Sequence, residues 1–199
     1  MRVVVGLGNP GTAYAASRHN VGFAVVEALA GRWQIALPPP SSALRVAPAV
    51  VAGKPIELVQ PQMYMNRSGP ALAHLGQPIE TEQLIVIHDD LDLTTGCVRV
   101  KHGGGTAGHR GVDSIVACYG PDVIRVRIGV GRPSRREDTA AYVLSTVEGD
   151  EHALLAAAVA KAADAVECVL GCGEIEAMNR FNVRARHDAR AAALLTGRK

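Results

Sequence analysis

His19, Asp89 and Asn9 are the side chains in this sequence whose types and placing suit hydrolysis without a nucleophilic side chain. Ser17-Arg18-His19-Asn20 brings an imidazole to the start of a helical segment. A neutral imidazole acts as a general base when its far N–H is fixed, and an aspartate fixes it well. Asp89 follows the apolar run Leu84–Ile87 and meets His19 if the strands leading to the two are neighbours. With no nucleophilic side chain obvious between them, such a pair activates water. Asn9, in Gly6-Leu7-Gly8-Asn9-Pro10-Gly11, adds an amide with both donors and an acceptor. That run is not a dinucleotide fingerprint, because Pro10 occupies the turn and the third glycine is missing.

Other segments carry weaker signals. His88-Asp89-Asp90-Leu91-Asp92 offers carboxylates and an imidazole to a divalent ion. No His-x₃-His pair accompanies it, and Asp90 reads better as a turn cap. Gly103-Gly104-Gly105-Thr106-Ala107-Gly108-His109-Arg110-Gly111 lacks the Lys-Ser/Thr of a nucleotide-phosphate loop and reads as a mobile lid. Around it stand Arg99, Lys101, Arg125, Arg127 and Arg132, which together point to a phosphate-bearing partner. In Pro61–Gly69, Tyr64 and Asn66 offer an apolar wall and an amide to a peptide-like ligand, whereas Met63 and Met65 read as core.

The elements that must position these groups follow from periodicity. Val3–Leu7 and Leu84–Ile87 are continuous apolar runs, the mark of buried strands, the second stopping at His88. Leu44–Val51 and Ile56–Val59, split by Gly53-Lys54, predict a hairpin. Val21, Ala24, Val25, Ala28 and Leu29 recur at helical spacing, with Asn20 as cap and Gly31 as stop. Further helices are predicted from Pro70 to about Leu75, over Val112–Cys118 and over Glu151–Leu170, and further strands over Cys97–Lys101 and Val123–Val130. The result is an α/β fold: one globular domain over 1–182, a mixed central sheet, parallel in its middle, with helices packed on both sides. Residues 183–199, rich in Arg and Ala, are expected to form a flexible tail.

The chain has 199 residues, 48% of them hydrophobic, and a formal net charge of +2, so neither disorder nor a histone-like polycation fits. Aromatic residues make up 4%, too few for a single-strand stacking platform. No apolar run is long enough to span a membrane. The four cysteines are read as reduced thiols of a cytoplasmic protein.

The stretches VGLGNPGTAYAASRHNVGF, PQMYMNRSG, HDDLDLTTGCVRVKHGGGTAGHRGVDSI and DVIRVRIGVGRP, with AMNRFN near the end, resemble bacterial-type peptidyl-tRNA hydrolases in content and order. The resemblance implies a monomer without metal or other cofactor, acting on the ester that joins a peptide to the acceptor end of tRNA. By the same resemblance His19 matches the catalytic base and Asp89 the acid that holds it. Asn9 and Asn66 match amides that position peptide and water, Tyr14 and Tyr64 border the tRNA end and peptide groove, and His109 is the lid histidine. Arg99, Lys101 and Arg127 fall at phosphate-binding cations. Arg110 stands where the family usually has Asn, which exchanges an amide contact for a possible phosphate contact. A non-catalytic RNA-binding protein on the same fold is the alternative, and a metal-dependent hydrolase built on His88–Asp92 the third reading.

Overall fold

Val3, Val4 and Val5 leave no polar face, so the strand that holds them must be covered on both sides. In the computed structural model, which describes residues 1–40, 43–133, 135 and 139–183, that strand is β1 (Arg2–Gly6), in the interior of a six-stranded sheet. The others are β2 (Leu44–Val51), β3 (Lys54–Pro61), β4 (Leu84–Asp90), β5 (Val98–His102) and β6 (Ile124–Gly129), in the order β2-β3-β1-β4-β6-β5. β3, β1, β4 and β6 run parallel, and β2 and β5 pair antiparallel at the two edges. The mixed sheet and the β2–β3 hairpin agree with the sequence reading.

Helices cover both faces. On one, α1 (Val21–Arg32) and the long α5 (Gly149–Cys172) bury Val25, Leu29, Leu155 and Val166 against Ile85, Ile87 and Val126. On the other, α2 (Ser68–Leu72) and α3 (Arg110–Tyr119) bury Leu72, Val112 and Ile115 against Val3, Val5 and Val86. The short α4 (Thr139–Leu144), which the sequence reading did not anticipate, precedes α5. α6 (Glu174–Phe181) packs by β5, and Asn182 beyond it pairs its amide with both backbone groups of Val100, at 2.9 and 2.8 Å. This amide covers part of an edge that would otherwise expose unpaired N–H and C=O groups. The expected tail from 184 onward lies outside the described residues. Among the described residues the four cysteines are free thiols, Cys168 buried and Cys172 exposed.

Two boundaries and one cap differ from expectation, each for a physical reason. β4 does not stop at Ile87: β6 lies alongside, and the ladder continues as His88↔Arg127, Asp89↔Ile128 and Asp90↔Gly129. Gly31 does not end α1. Leu29 and Ala30 are buried beside it, and that packing outweighs glycine's poor helix propensity of about 1 kcal/mol. Asn20 holds the N-cap position without capping, because its side chain is spent on Asn9.

One close approach sets the position of His19. A Cβ on Gly22 would lie 2.5 Å from the carbonyl oxygens of both Ile87 and Leu7, and one on Gly6 would collide with the Gly22 carbonyl. The first turn of α1 therefore rests directly on the ends of β1 and β4, and the 3-10 turn before it (Arg18–Asn20) hangs over the carboxyl end of β4.

Candidate active site

β1 connects onward to strands on one side of it and β4 to strands on the other, so the crevice between their carboxyl ends is a topological switch point, where ligands bind in open α/β sheets. Asn9 follows β1, and Asp89 lies one residue from the end of β4. Alternation along β4 sends His88 and Asp90 to the α3 face and Asp89 to the α1 face, toward His19.

Asp89 is buried and one of its oxygens, Oδ1, meets two imidazoles: His19 Nδ1 at 2.8 Å and His109 Nε2 at 2.9 Å. The network fixes the tautomers. His109 precedes α3, and its Nδ1 accepts the Gly111 and Val112 N–H groups at 3.1 and 3.2 Å, so the ring proton sits on Nε2 and points at Asp89. Both nitrogens of His109 are thereby occupied. His19 donates from Nδ1 to Asp89, which leaves its Nε2 a lone pair for the cleft. Of the two histidines, only His19 can accept a proton without giving up bonds. Burial pushes the Asp89 carboxyl up, but the imidazoles of His109 and His19 outweigh it and hold the group well below the usual carboxylate range. Asp89 is therefore a fixed anion at neutral pH.

Asn9 has its orientation set in the same way. Its Oδ1 accepts the Met65 N–H at 2.9 Å, while its backbone N–H and C=O bond the Asn20 amide, each at 2.9 Å. With the oxygen occupied, the NH₂ group is free to donate to a ligand. Met65, read as core, is indeed buried, and its backbone does this second job.

A cleft of about 610 Å³ opens over these groups. Asn9, Tyr14, His19, Tyr64, Asn66, Asp89, His109 and Arg110 all line it, so the eight residues proposed for catalysis and substrate binding come together. Tyr64, Asn66 and Arg110 are exposed at it, and Tyr14 is half-buried. Arg99, Lys101 and Arg127 are not in its lining. The register pairs Arg99 with Arg127 and Lys101 with Arg125, which sets these four cations on one face of β5 and β6. Arg127 is tied to Asp90 at 2.6 Å, and Arg99 donates to the Phe181 carbonyl at 2.8 Å. Lys101 is exposed, without a hydrogen-bond or ion-pair partner among the described residues. Arg125 departs from the sequence reading: it is buried and bonds the carbonyls of Gly103 and Gly105, so it anchors the start of the glycine-rich loop instead of facing a ligand.

His88–Asp92 does not converge on an ion. His88 donates from Nδ1 to the Asp89 carbonyl at 2.6 Å, and its burial pushes the imidazole well below its ordinary value, so it is neutral. Asp90 accepts the Asp92 N–H at 2.8 Å, the turn cap expected of it, and pairs with Arg127, while Asp92 pairs with Arg132. His19, Asp89 and His109 do bring ligand atoms within 4.8 Å of one another. That triangle is already bridged by two N–H groups directed at one oxygen. Sequence reasoning missed the wall formed by Thr139, Ala140, Val143 and Leu144 of α4. No local motif marks α4, whose place depends on a contact with Arg18.

The family model described as peptidyl-tRNA hydrolase matches residues 3–190. The chain is 44% identical over 185 residues to a peptidyl-tRNA hydrolase of Rubrobacter xylanophilus, covering 91% of this chain and 100% of that one. It is 42% identical over 186 residues to the one of Chloroflexus aggregans, covering 92% and 99%. The crystal structure of peptidyl-tRNA hydrolase from Acinetobacter baumannii superposes with a TM-score of 0.84 at 37% identity, over 92% of this chain and 95% of that one. The mixed sheet, the crevice at its switch point and this likeness over nearly the whole length agree: the chain belongs to the peptidyl-tRNA hydrolase family.

Proposed function

We propose that the chain hydrolyses the ester between peptide and tRNA in peptidyl-tRNA, recycling tRNA from prematurely released chains, with water activated by His19. The observation that carries this reading is the free Nε2 of His19, whose other nitrogen is held 2.8 Å from the Asp89 carboxylate. His19 takes a proton from water as the oxygen attacks the ester carbonyl carbon, and Asp89 balances the imidazolium that forms. The NH₂ of Asn9, with Asn66 nearby, donates to the developing oxyanion. When the tetrahedral intermediate collapses, the bond to the ribose oxygen breaks and the imidazolium returns its proton to that leaving oxygen. Base catalysis of this kind contributes about 10²–10⁴-fold and one oxyanion donor roughly 10²–10³-fold. No metal enters any step.

The peptide amide, unlike the charged amine of a free aminoacyl group, suits the neutral amides of Asn9 and Asn66, which gives a preference for blocked substrates. Lys101, exposed on the sheet face it shares with Arg99, supplies a cation for phosphates of the acceptor end, while Arg127 on that face is engaged by Asp90. His109 fixes Asp89, and Arg110 faces the ligand from the start of α3. By its family resemblance the protein works as a monomer, and its free thiols suit the cytoplasm. The RNA-binding alternative is not favoured, since the relatives are named as hydrolases.

Release of tRNA from N-acetyl-aminoacyl-tRNA tests the reading. His19→Ala should lose about 10²–10⁴-fold in kcat with an unchanged circular dichroism spectrum. Near-wild-type turnover would remove His19 as the base.

A further inference from the structure

Arg18 neighbours His19 in sequence yet points away from the dyad, and the hydrolytic step does not use it. It is 8% exposed. Its Nε donates to Glu151 Oε1 at 2.8 Å and its Nη2 to Glu151 Oε2, a two-point grip on the first turn of α5. Its Nη1 meets the Tyr142 carbonyl at 3.3 Å, the Ser145 carbonyl at 3.4 Å and the Ser145 hydroxyl. The guanidinium carbon lies 4.2 Å from the centre of the Tyr142 ring.

Tyr142 and Ser145 sit on or just after α4. The Tyr142 carbonyl also accepts the Ser145 N–H at 3.2 Å and the Ser145 hydroxyl at 2.8 Å, so Arg18 adds to the turn that closes α4, and a cation there meets the negative end of the helix dipole. α4 has 6 residues, and Val143 is the one buried among them. A helix so short has no stability of its own. Among its other ties are the Tyr142 hydroxyl to the Val130 carbonyl at 2.6 Å and, just beyond it, the Val147 N–H to the Ala16 carbonyl at 3.0 Å, the latter again reaching the segment before His19. Yet α4 lines the cleft with Thr139, Ala140, Val143 and Leu144.

We propose that Arg18 is a positioning residue for substrate binding: it holds α4 as one wall of the cleft and locks that wall to the turn carrying His19. The wall and the base thus move as one body, and a substrate seated against α4 is in register with the His19 nitrogen. The inference rests on the hydrolytic reading of the cleft, which the experiment separates from it.

The test uses the full chain, N-acetyl-aminoacyl-tRNA and the variant Arg18→Lys, which keeps the charge but loses the fork and the stacking. Glu151→Gln is the milder variant if Arg18→Lys folds poorly. With the wall docked in about a tenth of molecules, KM rises about tenfold, because apparent affinity falls with the competent fraction. kcat stays within about threefold, since the His19–Asp89 contact is made elsewhere. Amides 140–144 exchange about tenfold faster, while those of β4 do not change. The double variant adds little to either single one. Unchanged KM with unchanged exchange would overturn the inference, as would a fall in kcat at constant KM, which would put Arg18's effect on the dyad itself. A wild-type chain without hydrolase activity would defeat the reading of the cleft, and exchange at 140–144 would still decide whether Arg18 holds α4.

Discussion

Replacing Asp89 by Asn keeps shape and volume and removes one charge, so it isolates what the carboxylate does for His19. The Nδ1–Oδ1 distance of 2.8 Å puts the imidazolium and carboxylate charge centres roughly 4 Å apart, worth about 4 kcal/mol at an effective dielectric constant of 20. An amide oxygen retains part of that as a dipole, so the expected loss is about 3 kcal/mol, or roughly 10²-fold in kcat. A tautomer error would enlarge it. If the Asn NH₂ faces His19, the ring moves its proton to Nε2 and loses the lone pair that takes the proton from water. Single-turnover release of tRNA from saturated enzyme measures this step without product release. A second readout comes from stability. The Asp89 carboxyl is held below its unfolded value of about 3.9, so ionised Asp89 favours the folded state above that pH, and the contribution is lost only as pH falls through the lower folded value. Urea midpoints of wild type and Asp89→Asn should therefore differ by a constant amount above about pH 5 and draw progressively together as pH falls below about 4. A kcat within threefold of wild type, in a variant of unchanged structure, would refute the account of Asp89 as the charge that steadies His19.

Three further variants have outcomes set by the geometry. Lys101→Ala should weaken tRNA binding and lower its salt slope by about one phosphate's worth, measured by filter binding over a salt series. Arg127→Ala should instead cost about 3 kcal/mol of stability, because it leaves buried Asp90 without its cation; equal salt slopes for the two variants would contradict this division. Gly22→Ala places a methyl group against the Ile87 and Leu7 backbones and should cost about 2 kcal/mol. For a chain of this size that is a Tm roughly 4–8 °C lower, with kcat reduced as His19 is lifted from Asp89, and an unchanged Tm by calorimetry would show that α1 yields freely.

The parts of this molecule legible in its sequence are those fixed by local pattern. The unbroken apolar runs at Val3–Leu7 and Leu84–Ile87 specify strands covered on both faces, and such strands need helices on both sides. Glycine and asparagine after the first run and aspartate after the second locate the crevice once the two strands are neighbours. What the sequence did not reveal depends on partners remote along the chain. Arg125 looked like a ligand-facing cation because its alternation with Val126 puts it off the core face. The loop 103–105 then folds over that side and turns the guanidinium into its anchor. Arg18 carried no role of its own in the sequence, because its acceptors lie more than a hundred residues away on α4 and α5.

The two imidazoles on Asp89 make the same point in chemical terms. His19 and His109 look equivalent as lettering and as distances, 2.8 and 2.9 Å from one oxygen. They differ in what occupies the opposite ring nitrogen. For His109 that is a pair of N–H groups at the start of α3, so a second ring proton would cost two hydrogen bonds and be repelled by the positive end of the helix. For His19 it is the open cleft. The assignment of base and helper is therefore made by the helix that begins at Arg110, an element with no part in the reaction, and it holds as long as that helix starts where it does.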